Sequence, residues 1–386
     1  MEQEAVQLLE SLLSLRPEDP EAFILFLHQL QEESDGSVLL ERLCRRLEKS
    51  CKESQKQNTC TMRFPAGYED PTTLQEAVET LRFFQANLPA LDASYASLAD
   101  DASRDLMIEI LLFRALGGGR VKLPTNTQEY WRKVAQAQRT VVQPDVLETG
   151  FMGWSLDECS LESLGMKMHV LSKPLGILGT FLLRQYEYHK GDIHVAAECG
   201  DVVIDGGGCW GETALYFAHI VGPQGKVFSF EFLPFNLNVM RKNLERNAHL
   251  SDRVNVVEAP LWEKSGVMVG YNENGPGSSV EPLSRRGGQV RTKSIDALVH
   301  ECALDRVNLI KMDIEGAELP ALRGAEATLR RFRPKLAICA YHKPDDLITI
   351  LPYLHSLDLG YRFTLGHYSI HAEETVLFGV PKDLRG

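Results

Sequence analysis

The chain has 386 residues, 44% of them hydrophobic and 24% charged, and a formal net charge of −12. That length exceeds one typical domain of about 100–200 residues, and the composition excludes a disordered, collagen-like or membrane-embedded chain. The negative balance repels a phosphate backbone, so nucleic acid is not expected as a partner.

The eight cysteines, at 44, 51, 60, 159, 199, 209, 302 and 339, form no CxxC pair and no zinc-ligand spacing, which fits a reducing cytoplasm. The start Met1-Glu2-Gln3-Glu4 lacks the basic residues of a signal peptide. The apolar run 106–116 is interrupted by Glu109 and Arg114, so no membrane span is expected.

Residues 1–150 read as a mostly α-helical N-terminal region. Val6, Leu9 and Leu13 recur at helical spacing, and Asp19 can cap a helix beginning at Pro20. Ser37 can start a helix carrying Leu40, Leu43 and Leu47. Another opens near Thr72 or Thr73, and one runs from about Ser103 until Gly117-Gly118-Gly119 stops it. This region is expected to cover an acceptor pocket or to form a homodimer.

A second domain follows over 151–386, with its core at about 199–381. Alternation in Met166-Lys167-Met168-His169-Val170 suggests strands leading into it. Short apolar strands at 202–204, 226–230, 254–257, 309–312 and 335–340 are separated by helix-length segments, the pattern of a parallel α/β sheet. The runs 361–365 and 375–380 can close it as an antiparallel hairpin.

The first of these strands leads into Asp205-Gly206-Gly207-Gly208-Cys209-Trp210-Gly211-Glu212-Thr213. A strand ends at an acid, glycines turn the backbone, and a helix begins, as in loops that hold a cofactor. Gly206, Gly208 and Gly211 also satisfy G-x-G-x-x-G, so a nicotinamide dehydrogenase is an alternative. A carboxylate at Asp205 would repel a pyrophosphate; it suits the ammonium and sulfonium of S-adenosylmethionine.

The second strand ends at Glu231, where two ribose hydroxyls can donate to one carboxylate. Phe232 and the turn Ala259-Pro260-Leu261 can flank an adenine ring or simply pack. The fourth and fifth strands end in Lys311-Met312-Asp313-Ile314-Glu315-Gly316-Ala317-Glu318 and Cys339-Ala340-Tyr341-His342. Both ends face one crevice, so Asp313, Glu315 and His342 are the candidate catalytic group.

Taken together, these motifs resemble the FkbM family of methyltransferases. The resemblance rests on the loop at 205–211, the Phe-Glu-Phe-x-Pro-x-Asn run at 230–236 with Asn243, the block at 311–318, and His342, and it covers roughly 175–381. It implies a seven-stranded Rossmann-like class I methyltransferase sheet with a reversed final hairpin. It also implies bound S-adenosylmethionine and O-methylation of a small molecule, sugar or natural product. Under it, Asp205 and the glycines sit beneath the methionine portion, Glu231 on the ribose, and Asp313 at the transfer site. Cys209 and Trp210 stand where many members carry Asn and an aliphatic residue.

His342 is expected to serve as the base, to orient the acceptor, or to be structural. Glu315 and Glu318 can instead cap the helix near Gly316. A metal at Asp313, Glu315 and His342 fits no standard spacing, so metal-independent transfer is expected. His367 and Tyr368 are candidates for a pocket rim, and 275–279 for a lid or a plain loop. An N-methyltransferase and an inactive cofactor-binding scaffold with a helical interaction module are the remaining alternatives.

Overall fold

The computed structural model describes residues 37–50, 58–60, 62–63, 74–151, 153–272, 274–281 and 288–383. The helices expected at Val6–Leu13 and after Asp19, and the start expected at Thr72 or Thr73, lie outside the described residues. The chain divides into two compact units, one of residues 1–127 with 369–373, the other of 128–368 with 374–386.

The first unit contains helices α1 (Val38–Ser50), α2 (Leu74–Ser97) and α3 (Asp101–Leu116). Ser37 caps α1 as expected, its Oγ accepting from Leu40 N at 3.1 Å. Asp100 does the same for α3 through Ser103 N, and Gly117, at φ +72°, ends that helix. Leu39, Leu40 and Leu43 of α1, Leu91 and Tyr95 of α2, and Met107, Ile110 and Leu111 of α3 are buried. Segment 369–373 belongs to this unit through His371, whose Nε2 accepts from Cys60 N at 3.2 Å.

The second unit opens with α4 (Gln128–Gln138) and an antiparallel sheet of β1 (Val141–Glu148), β2 (Ser155–Ser160) and β3 (His169–Ser172). Strand β1 therefore falls inside the stretch expected to be helical. The β-branched pair Val141-Val142 disfavours a helix there, and Pro144, lacking an N–H, is tolerated because β1 is an edge strand. A short hairpin, β4 (Tyr188–Lys190) and β5 (Ile193–Val195), precedes the main sheet.

That sheet comprises β6 (Val202–Gly206), β7 (Lys226–Glu231), β8 (Val254–Glu258), β12 (Leu309–Met312), β13 (Lys335–Cys339), β14 (Tyr361–His367) and β15 (Thr375–Pro381), in the order β14-β15-β13-β12-β6-β7-β8. A separate antiparallel sheet joins β9 (Met268–Asn272), β10 (Ser279–Glu281) and β11 (Gly288–Arg291). In the main sheet β15 runs antiparallel to both β13 and β14, while the other pairs are parallel. This is the Rossmann-like sheet with a reversed hairpin expected from the sequence.

Parallel strands must be covered on both faces, and the sequence meets that demand with near-continuous apolar runs. Val203, Ile204, Leu309, Ile310, Leu336, Ala337 and Ile338 have no exposed surface. Each fully buried Val, Leu or Ile contributes about 1.5–3 kcal/mol of transfer free energy. Helices α5 (Glu212–Val221), α6 (Pro234–Arg246), α7 (Ile295–Glu301), α8 (Glu318–Arg323), α9 (Glu326–Phe332) and α10 (Asp346–Ser356) connect the strands. Lys311, in the middle of the sheet, is the exception to the apolar pattern. No helix among the described residues is long and apolar enough to cross a membrane.

Candidate active site at the carboxyl ends of the parallel strands

The parallel register sets Lys311 of β12 beside Asp205 of β6. Both side chains are buried, and Lys311 Nζ lies 3.0 Å from Asp205 Oδ1. The other oxygen, Oδ2, accepts from Thr213 Oγ1 at 2.9 Å and Ser229 Oγ at 2.7 Å. Asp205 was expected to face an ammonium group of a ligand; it faces the protein's own ammonium instead. The physical reason is that a lysine cannot be left unpaired in the sheet interior.

Lys311 Nζ also donates to Gly206 O at 2.9 Å and Gly207 O at 2.8 Å, which holds the loop after β6. Burial works against the charge on Lys311, but Asp205 and Asp313 outweigh it and hold its pKa above the ordinary value. Gly207, at φ +79°, passes so close to β12 that a Cβ there would meet Asp313 O at 1.8 Å. Gly207 N and Gly208 N both donate to Phe230 O. The turn is thus closed by strand contacts, with Gly207 and Cys209 retaining partial exposure.

Glu231, at the end of β7, is nearly buried. Its Oε1 accepts from Phe232 N at 2.6 Å and Leu233 N at 2.8 Å, and its Oε2 from Asn236 Nδ2 at 3.1 Å. A carboxylate has about four acceptor sites; three are taken here by the start of α6, and the backbone N–H of Cys209 bonds it as well. Burial raises the pKa of Glu231 even so, against these hydrogen bonds. Asn236 also accepts from Trp210 Nε1 at 3.0 Å, tying the β6 loop to α6.

The other residues expected around a cofactor divide by exposure. Glu212 is buried against Ser172 Oγ at 2.7 Å, Thr213 is spent on Asp205, Gly206, Gly208 and Gly211 are buried, and Leu261 is packed where a Cβ on Gly206 would stand. Phe232 and Ala259 are partly exposed, and Phe232 meets Tyr271 edge to face at 5.3 Å.

The ends of β12 and β13 bring Asp313, Glu315 and His342 together, as their positions in the sequence suggested. His342 Nε2 lies 3.2 Å from Asp313 Oδ1 and 3.5 Å from Glu315 Oε1, and Nδ1 lies 2.9 Å from Glu318 Oε1. Tyr186 donates to Asp313 Oδ2 at 2.7 Å and Tyr341 to Oδ1 at 3.2 Å. Burial alone would raise the Asp313 carboxyl, but His342, Lys311 and Tyr186 hold it below the carboxylate range. Burial alone would lower His342, but Glu318, Asp313 and Glu315 hold it well above the usual imidazole value.

Glu318 sits at the start of α8 and accepts from Ile314 N at 2.9 Å, so it both fixes this turn and faces the imidazole. Glu315 has φ +55°, a left-handed conformation that costs a non-glycine residue about 1 kcal/mol or more. The turn Gly275–Gly277 approaches it: a Cβ on Gly277 would lie 4.0 Å from Glu315 Oε2. His367 is buried in the hairpin, 3.0 Å from Thr375 Oγ1, while the half-buried Tyr368 donates to Glu187 O at 2.6 Å, just before β4.

Lys311, Tyr186 and Tyr341 were not singled out from the sequence. A lone lysine inside the apolar strand Leu309-Ile310-Lys311-Met312 was the available signal, since such a residue is buried only against an acid. Nothing local marks Tyr186, which is 127 residues from Asp313.

Residues 189–363 match the model of the Methyltransferase FkbM domain. A methyltransferase sdnD from Sordaria araneosa is 27% identical over 157 residues, 32% of this chain and 60% of that protein. The chain thus spans less than two thirds of that curated relative. A crystal structure of the methyltransferase FkbM from Methylobacillus flagellatus KT is 20% identical, covering 78% of this chain and 60% of that one with a TM-score of 0.48. An S-adenosylmethionine-dependent O-methyltransferase from Thermotoga maritima is 14% identical, covering 58% of this chain and 71% of that one with a TM-score of 0.33.

Proposed function

We propose that this chain, which carries an FkbM methyltransferase domain, is an S-adenosylmethionine-dependent methyltransferase acting on a hydroxyl of a small molecule, sugar or natural product. The observation that carries this reading is the meeting of Asp313, Glu315 and His342 beside the Gly207 turn, at the carboxyl ends of adjacent parallel strands. Ligands of open α/β sheets bind at that edge.

The cofactor fits the residues exposed there. Phe232 and Ala259 offer apolar surface to an adenine at the ends of β7 and β8, and Glu231 stands at the end of β7, where a ribose would lie. Gly207, Cys209 and Asp313 would hold the methionine end. When bound, S-adenosylmethionine supplies an electrophilic methyl group on a sulfonium. Asp205 and Lys311 support this from behind, by fixing the carbonyl groups of Gly206 and Gly207.

The chain's own contribution is positioning, which in favourable intramolecular models supplies about 7–11 kcal/mol. Glu315, 31% exposed, and Asp313, 20% exposed, are the carboxylates available to a hydroxyl donor. Three carboxylates around His342 raise its pKa, so its place in this reading is to orient Asp313 and Glu315 rather than to act as the base.

Calorimetric titration with S-adenosylmethionine, S-adenosylhomocysteine and NADH tests the reading, followed by transfer of labelled methyl to a panel of alcohols and amines. Binding of the first two and labelling of alcohols is expected. Binding of NADH alone overturns the cofactor, labelling of amines alone overturns the oxygen acceptor, and binding without any transfer favours the scaffold alternative.

A further inference from the structure

We infer that Asp313, Glu315 and His342 form a binding site for one divalent cation, with Asp313 Oδ1, Glu315 Oε1 and His342 Nε2 as its protein ligands. One ligand atom from each of the three lies within 4.8 Å of the others. The separations from His342 Nε2 have a specific meaning. Donors about 2.0–2.2 Å from one ion stand about 2.8–3.1 Å apart as octahedral neighbours and about 3.3–3.6 Å apart as tetrahedral neighbours. The observed values are 3.2 Å to Asp313 and 3.5 Å to Glu315.

A second observation comes from the imidazole. Its side chain is 6% exposed, and neither ring nitrogen meets a carboxylate with hydrogen-bond geometry despite the short distances. Nε2 is therefore a buried nitrogen aimed among oxygens without a directed bond to either, which is the arrangement a shared cation completes. On the far side of the ring, Glu318 Oε1 lies 2.9 Å from Nδ1. That is within reach of the hydrogen bond by which an outer carboxylate holds a metal-bound histidine.

Charge points the same way. Asp313, Glu315 and Glu318 surround one imidazole, and the neighbouring ammonium groups have other engagements. Lys311 pairs with Asp205, and Lys343 donates to Gly316 O. Two carboxylates and one imidazole suit a hard or borderline dication such as Mg²⁺, Mn²⁺ or Zn²⁺. Three protein ligands leave coordination positions for water or for the acceptor, whose hydroxyl a cation would make more acidic. That role rests on the proposed methyl transfer; the cation site does not. It departs from the metal-independent transfer expected from the sequence because the three donors are neighbours in space and not in any standard linear spacing.

The test uses Mn²⁺ as probe on the chelator-treated full chain without an affinity tag, followed by equilibrium dialysis and the electron paramagnetic resonance of bound Mn²⁺. One Mn²⁺ per chain is expected, with affinity falling at least tenfold in Glu315→Gln and in Asp313→Asn. Thermal unfolding of each variant confirms that it is folded, and Glu315, the more exposed carboxylate, carries the result if Asp313→Asn does not fold. Absence of Mn²⁺ binding at millimolar concentration, or unchanged affinity in folded Glu315→Gln, overturns the site. S-adenosylmethionine is titrated in parallel. Cofactor binding without Mn²⁺ sinks the cation site alone, and Mn²⁺ binding without cofactor upholds the site while removing the proposed function.

Discussion

Lys311 Nζ lies 3.0 Å from Asp205 Oδ1, in a pair with 1% and 0% of their side-chain surface exposed. Removing one member of a buried pair leaves an uncompensated charge, at a cost of about 3–5 kcal/mol, whereas replacing both by groups of similar volume is often neutral. Lys311→Met should therefore lower stability by that amount in urea unfolding. The double variant Lys311→Met/Asp205→Leu should recover much of the loss. A double variant as unstable as the sum of both singles would show that the pair has no coupled role.

The relation between these two residues also shows what a sequence makes legible. The seven main strands were readable because runs such as Val202-Val203-Ile204 and Leu336-Ala337-Ile338 are apolar, partly β-branched and bounded by turn signals. Asp313, Glu315 and His342 were readable for a simple reason: adjacent parallel strands deliver their carboxyl ends to one crevice. Asp205 was also visible, but its partner was not, because register between β6 and β12 decides whether Lys311 or a ligand meets it. The hairpin β4–β5 and the sheet β9–β11 are too short and too mixed in polarity to stand out from loops.

Glu231 joins two roles that a graded substitution can separate. Glu231→Ala strips acceptors from Phe232 N, Leu233 N and Asn236 Nδ2. Unpaired buried donors cost about 1–3 kcal/mol each where water does not replace the bond, so a clear loss of stability is expected. Glu231→Gln retains an acceptor oxygen and should be milder in unfolding. If Glu231 holds the ribose, both variants weaken S-adenosylmethionine binding in calorimetry, and the weakening in Glu231→Gln exceeds what its stability loss accounts for. Unchanged cofactor affinity in a folded Glu231→Gln would leave the residue only its part in starting α6.

Gly207 offers a steric prediction with an internal control. A Cβ at Gly207 would stand 1.8 Å from Asp313 O, a backbone atom at the carboxyl end of the central strand β12, and the residue has φ +79°. Gly200 has φ +88° with no atom within 4 Å of its hypothetical Cβ. Gly200→Ala should cost only the conformational penalty, about 1–2 kcal/mol. Gly207→Ala adds a backbone collision and should lose more than that, together with the placement of Asp313. Thermal unfolding of the two variants side by side checks this, and equal losses would mean that β12 yields easily.

The last prediction concerns pH and Glu212. Burial pushes its carboxyl up to about 7 from an ordinary 4.5, and the hydrogen bond from Ser172 Oγ offsets only part of that. Between these two values the folded chain binds a proton that the unfolded chain has released. Stability linked to Glu212 is therefore full below about pH 4.5, declines as pH rises through the interval, and is lost above about 7. The burial is complete enough for this to amount to something on the order of 3 kcal/mol. Glu212→Gln mimics the protonated form and should remove that decline. In urea titrations at pH 5 and pH 8, the variant's advantage over the native chain should be larger at pH 8. An advantage that is the same at both values would mean that Glu212 ionises in the folded protein at an ordinary pH, with Lys311 or water compensating its charge.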